Sequence, residues 1–239
     1  MKRSPMEHWR IGSFVMAFAA WLPLQAQNGP VYATGAMRNT MFNGQLAGLI
    51  TMDSLAVPGT FGIGPIAYLR GEVLVLDGTV HTSTVNKSGT MVVDQDPSVT
   101  APFFVHQQVT HWQEVQLPDS VTDLAGLDRF LTERYAGLNA PFAFRLSGLF
   151  EHVKVHIVDV PLGTVVKGPD DAHRDNKHFQ RSGVEAEAVG FFSTAHKAVF
   201  THHDTNIHVH AITAERDWMG HVEALRFVPG RTSLRVALP

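Results

Sequence analysis

From Gln27 onward the chain alternates short apolar and polar runs with a period near two, broken by glycine-bearing turns, and this pattern predicts strands. VYATGAM from Val31, GEVLVLDG from Gly71 and APFFVHQQV from Ala101 each read as one strand. TVHTSTV, the turn NKSG and TMVVD, together Thr79 to Asp94, read as a hairpin. One stretch has the helical period instead: Leu124, Leu127, Phe130, Leu131 and Tyr135 share a face, with Asp119 and Ser120 available as caps and Gly137 and Pro141 as stops. FNGQLAGLITMDSLAV (Phe42 to Val57) reads as one or two short helices ended by Pro58-Gly59, and GTFGIGP (Gly59 to Pro65) as a glycine-rich link. FAFRLSGLFEHVKVHIVDV (Phe142 to Val160) reads as one long or bent strand pair kinked at Gly148, followed by a polar loop, KGPDDAHRDNKHFQRSG, solvated and able to border a pocket. Strands return at KAVFTH, NIHVHAITA, GHVEALRFV and SLRVAL. The pattern therefore predicts an α+β, β-rich fold within the broad α/β class. It comprises mixed and antiparallel sheets, few helices, and two associated halves, about 27–138 and 139–239, of a single domain.

The amino end departs from this pattern. Lys2, Arg3 and Arg10 precede the apolar run IGSFVMAFAAWLPL, which leads to QAQ, the arrangement of an export signal cut after Ala26. The run is 14 residues long, short of the roughly 20 that span a bilayer. The expected mature protein is thus exported, periplasmic or extracellular, and free of the membrane once the signal is removed. Removing residues 1–26 takes Lys2, Arg3, Arg10 and Glu7, so 16 Lys and Arg face 21 Asp and Glu, a net charge of −5. That balance gives no basic face for nucleic acid. The absence of cysteine excludes disulfides and thiolate metal sites. Any metal must be held by His, Asp or Glu, which directs interest to the 14 histidines.

Three of them fall in NIHVHAITAERDWMGHV. On a strand, residues i and i+2 share a face, so His208 and His210 project together while Val209 points the other way. A turn at AERDWMG returns an antiparallel strand with His221 near its start, so three imidazoles can converge on one zinc ion. Three protein ligands leave a position open, as in a catalytic rather than a structural zinc site. Glu72, behind a glycine-rich turn, is the carboxylate expected nearby, with Glu223 as a second choice and Glu215 left in a solvated turn. His202 and His203 read as loop residues. A cupin-like reading of HVHAITAE lacks its glycine, because His202 stands six residues before the first histidine, and no later segment supplies a second motif.

The segments GTFGIGPIAYLRGEVLVLDG, TAPFFVHQQV, FAFRLSGLFEHVKVHIVDVP, IHVHAIT and GHVEALRF follow one another as in the alpha-acetolactate decarboxylase family, which the mature chain resembles over nearly its whole length. The resemblance implies that His208, His210 and His221 ligate Zn2+, that Glu72 is the acidic residue at the metal, and that the subunits form a homodimer. It implies decarboxylation of 2-acetolactate, a small hydroxy-keto acid, to acetoin and CO2. Departures accompany it. Pro65 stands where the family usually has threonine, and His156 where it has an arginine to meet the substrate carboxylate. The family's tail glutamate has no counterpart up to Pro239. Arg145, on the neighbouring segment, and His156 are the residues left to orient the carboxylate. A catalytically impaired homologue that binds metal or a small ligand is the alternative these departures raise.

Overall fold

The computed structural model describes residues 27–239, and the expected export signal, residues 1–26, lies outside them. The first half of the chain forms β1 (Val31–Thr34), α1 (Met37–Asn43), β2 (Ile50–Thr51), β3 (Thr60–Pro65), β4 (Glu72–Leu76), β5 (Thr79–Val85), β6 (Met91–Gln95), β7 (Thr100–Ala101) and β8 (Phe104–Gln108). The second forms β9 (Gln113–Val115), α2 (Leu124–Tyr135), β10 (Phe142–Ile157), α3 (Pro169–His173), β11 (Lys177–Phe192), β12 (Ile207–Thr213) and β13 (Met219–Ala237).

Six strands make the first sheet, in the order β1-β8-β3-β4-β5-β6, and β2 pairs separately with β7. The second sheet runs β10-β11-β12-β13-β9, and an added β10–β13 pairing closes four of its strands into a ring. Every ladder among these strands is antiparallel, so the mixed pairing also expected does not form. The change of sheet falls between β8 and β9. The boundary expected near residue 138 is therefore too late, because β9 pairs with β13 and α2 packs into the second half's core.

Alternation decides which face each residue takes. On β4, Leu74 and Leu76 turn toward the second sheet, while Val73 and Val75 pack with Met52, Leu55 and Phe104. Phe61, Ile63, Leu74 and Leu76 meet Val189, Phe191, Ile212 and Met219 between the two sheets. Phe142, Phe144, Leu146, Val209 and Leu225 turn inward within the ring, where Leu127 and Leu131 of α2 join them.

Six local readings are corrected. GTFGIGP is strand β3 rather than a link; a Cβ on Gly62 would meet Phe104 Cε1 at 2.5 Å, and one on Gly64 the Phe103 carbonyl at 2.6 Å. Its glycines mark close backbone approach within a strand. Helix α2 is capped by Asp123, whose Oδ1 accepts the Gly126 N–H at 2.7 Å, rather than by Asp119 or Ser120. Residues 142–157 form one strand, with register shifts beyond Gly148, and the second half of the expected loop belongs to β11. GHVEALRFV and SLRVAL are parts of the continuous β13, whereas KAVFTH forms a turn with Ala198 at φ 59°.

Candidate metal centre

β12 presents His208 and His210 toward the first sheet, and the β12–β13 register sets His210 opposite His221. That cross-strand line continues: His221 pairs with His156 of β10, and His156 with His178 of β11. Four strands thus place one histidine each in a single cross-strand row, whose His210 end approaches Glu72 of β4. His208, His210 and His221 each offer a ring nitrogen within 4.8 Å of the others, and all three are buried. His208 Nε2 lies 3.1 Å from His221 Nδ1. Two nitrogens about 2.0–2.1 Å from a tetrahedral zinc stand roughly 3.4 Å apart, so this spacing suits a shared ion.

Glu72 comes from the opposite sheet. It is 2% exposed, accepts the Val158 N–H on Oε1 at 3.1 Å, and brings Oε2 to 3.7 Å from His210 Nε2. Burial raises its pKa well above the usual carboxylate value, opposed only by the Val158 hydrogen bond. Burial likewise lowers the histidine pKa values: His210 to about 3, and His208 and His221 well below an ordinary imidazole. The histidines are therefore neutral at pH 7, as metal ligands must be.

Both nitrogens of His210, and Nδ1 of His208, are buried without a hydrogen bond. Backbone groups of Val73 and Phe200 lie near enough to favour the charged forms of His210 and His208 slightly, without closing a bond. Buried imidazole nitrogens with no partner are costly and call for an explanation. An ion held by their lone pairs provides one. A narrow cavity of about 20 Å³ lies beside them, lined in part by Glu72, His208, His221 and Pro65, room for about one water or ion. The residues present fit a zinc ion.

His156 joins the group. Its ring stacks on His221 at 4.5 Å, and its Nδ1 lies 3.1 Å from Glu223 Oε1. Glu223 also takes Lys154 Nζ at 2.8 Å and His178 Nδ1 at 3.1 Å. The hydrogen bond with His156 is the largest influence holding the Glu223 carboxyl well below the usual carboxylate range. The second-choice carboxylate thus serves as an anchor for His156 and His178. Glu215 is exposed, as expected of the turn.

Arg145 is not brought to the histidines. It lies two strands from His210, with Val189 between them, and its guanidinium pairs with Glu187, which also takes Arg216. These three and His81 line a separate cleft. Three more histidines line an outer cleft of about 710 Å³: His202, read only as a loop residue, and His173 and His178, from the polar stretch read as a solvated loop able to border the pocket. His156, His173, His202, His208 and His221 line both the cleft and the inner cavity. The clustering of histidines around residues 173–178 and 202–210 was visible; their convergence depends on pairings between distant strands.

A buried group of three histidines that could hold a metal ion faces a carboxylate across two antiparallel sheets, which defines the class of site this fold carries. The sequence profile of the alpha-acetolactate decarboxylase family matches residues 31–237, and the chain belongs to that family. It is 26% identical over 191 residues to the alpha-acetolactate decarboxylase of Brevibacillus brevis, covering 79% of this chain and 64% of that one. The Methanosarcina mazei enzyme of the same name is 27% identical over 192 residues, covering 79% and 63%. The match thus spans slightly under two thirds of the length of these two relatives. The crystal structure of alpha-acetolactate decarboxylase from Bacillus subtilis strain 168 shares the fold, with a TM-score of 0.70, 20% identity and coverage of 88% of this chain and 86% of that one. A Staphylococcus aureus protein of unknown function, described as similar to alpha-acetolactate decarboxylase, has a TM-score of 0.66 at 20% identity, covering 86% and 84%.

Proposed function

We propose that this chain is a zinc-dependent carboxy-lyase that converts 2-acetolactate to acetoin and CO2. The observation that carries the reading is the buried group His208, His210 and His221, with unpartnered nitrogens and Glu72 opposite, in a chain of this family. A bound zinc ion supplies Lewis-acid polarisation of the substrate's ketone and hydroxyl oxygens.

The protein's own groups then manage the proton and the carboxylate. Burial favours the protonated form of Glu72, and because Oε1 accepts from Val158, Oε2, the oxygen nearest His210, is the one left to carry the proton. When the carbon–carboxylate bond breaks, CO2 leaves and its electron pair remains on the substrate carbon. Glu72 Oε2–H donates the proton that this carbon takes, and solvent restores it. His156 lines the inner cavity, with its ring fixed by Glu223, and orients the departing carboxylate. Arg145 is left out of this scheme because Glu187 holds it elsewhere.

Zinc-loaded protein given racemic 2-acetolactate tests the proposal: acetoin release is expected, with Glu72→Gln lowering kcat about 10²-fold or more. A second reading, a homologue that binds a hydroxy-keto acid without turning it over, is favoured by one observation. Among the described residues no arginine or lysine lines the inner cavity. Calorimetric binding of a non-reactive substrate analogue, with no acetoin formed from acetolactate, selects that reading. We also propose that the chemistry takes place outside the cytoplasm, after cleavage behind Ala26; a mature protein beginning at Gln27 by mass spectrometry is the expected result.

A further inference from the structure

His221 differs from the other two members of the triad in that both of its ring nitrogens face another imidazole. Nδ1 faces His208 Nε2 at 3.1 Å, and Nε2 faces His202 Nε2 at 3.1 Å, with the His202 ring nearly perpendicular at 79°. A neutral imidazole carries one proton, so the two nitrogens must play different parts. Nδ1 is the one turned toward His208. If Nδ1 of His221 and Nε2 of His208 both give their lone pairs to an ion, no proton remains between them. The His221 proton is then on Nε2, with His202 Nε2 directly in its path. We propose that His202 is a positioning residue that accepts a hydrogen bond from His221 Nε2–H and so fixes His221 as an Nδ1 metal ligand.

The loop that carries His202 is held firmly enough for this role. On one side, the Met37 and Arg38 N–H groups donate to the carbonyls of Val199 and Ala198 at 2.8 and 2.9 Å. On the other, Asn206 N–H donates to Asp128 Oδ2 at 3.1 Å, and its side-chain amide donates to Thr132 Oγ1 at 3.0 Å. Helices α1 and α2 thus clamp the loop at both ends. A metal-bound histidine ordinarily donates its second N–H to a carboxylate, carbonyl or water, and that partner sets both tautomer and ring angle. Here a neutral imidazole takes the place, which fixes the ring without adding negative charge to the centre.

The inference rests on the zinc reading of the triad, and the test separates the two. Zinc affinity is measured by chelator competition for the unaltered protein, His202→Ala and His202→Gln. Long-range ¹H–¹⁵N spectra of the zinc-loaded, unaltered protein read the tautomers. His202→Ala is expected to bind zinc about 10–100-fold more weakly, with His202→Gln recovering most of the loss because its amide oxygen still accepts. The spectra should show His221 bound through Nδ1 and protonated on Nε2. Unchanged affinity in His202→Ala, or zinc on Nε2 of His221, overturns the proposal while leaving the metal site intact. Failure of the unaltered protein to bind zinc overturns both. The tautomer measurement needs no variant, so it stands even if a substitution disturbs the fold.

Discussion

At His210, an imidazole with a pKa of about 3 sits fully buried with neither nitrogen hydrogen-bonded, and this has a measurable consequence for the metal-free protein. An ordinary imidazole titrates near 6.5. Above that pH the ring is neutral in both folded and unfolded chains. Below it only the unfolded chain takes the proton, so stability falls as pH drops from 6.5 toward 3. His173, at about 4, adds a loss of the same sign. The metal-free protein should therefore melt at progressively lower temperature between pH 6.5 and 4, and His210→Asn should flatten part of that slope. A variant that falls as steeply as the unaltered protein would place the effect elsewhere. Glu72 acts in the opposite sense. Its folded pKa is raised above 4.5, so as pH climbs past that value the unfolded chain ionises first and stability is lost. Metal-free Glu72→Gln should thus out-melt the unaltered protein at pH 7, with the margin shrinking toward pH 4.5; an equal margin at both values would contradict the assignment.

Strand β3 shows how an element can follow from contacts that its composition conceals. Gly62 and Gly64 lower strand propensity, yet the backbone must pass close to Phe103 and Phe104 on the neighbouring segment. Gly64→Ala is expected to cost about 1–3 kcal/mol through overpacking, read as a lower denaturant midpoint with an unchanged slope. An unaltered midpoint would mean that the neighbours yield freely. On β10, Gly148 plays a related part. Gly148, at φ 137°, lies where a Cβ would come within 2.0 Å of the Arg231 carbonyl, and the ladder shifts register just beyond it. A further shift between Lys154 and Val155 leaves Glu223 unpaired, free to reach His156 and His178.

Across the whole molecule, the site joins the two sheets. His208, His210 and His221 belong to the ring of strands, Glu72 to the sheet that covers it, and the apolar layer between the sheets begins beside them at Leu74 and Phe191. Zinc binding should therefore stabilise the entire fold. At a free concentration a hundredfold above Kd the gain is about 2.7 kcal/mol, equivalent to a rise in Tm of roughly 2–4 °C per kcal/mol for a chain of this size. Removing zinc with a chelator should reverse the rise, and His208→Ala should show none. A zinc-induced rise of equal size in that variant would mean the ion binds elsewhere.

Much of this was legible along the chain. The period-two alternation gave most of the strands and the helical period gave α2, because each reflects which side chains a local backbone turns to one face. His208 and His210 were readable as a pair for the same reason, and a short turn brought His221 within reach. The remaining assignments depended on register and packing between distant segments. Ring closure between β10 and β13 set His156 against His221, while Glu187 on β11 drew Arg145 into another cleft. The clamped loop carried His202 to the far nitrogen of His221. A strand's pleat dictates where its side chains point, but only the folded pairing of strands decides what they meet.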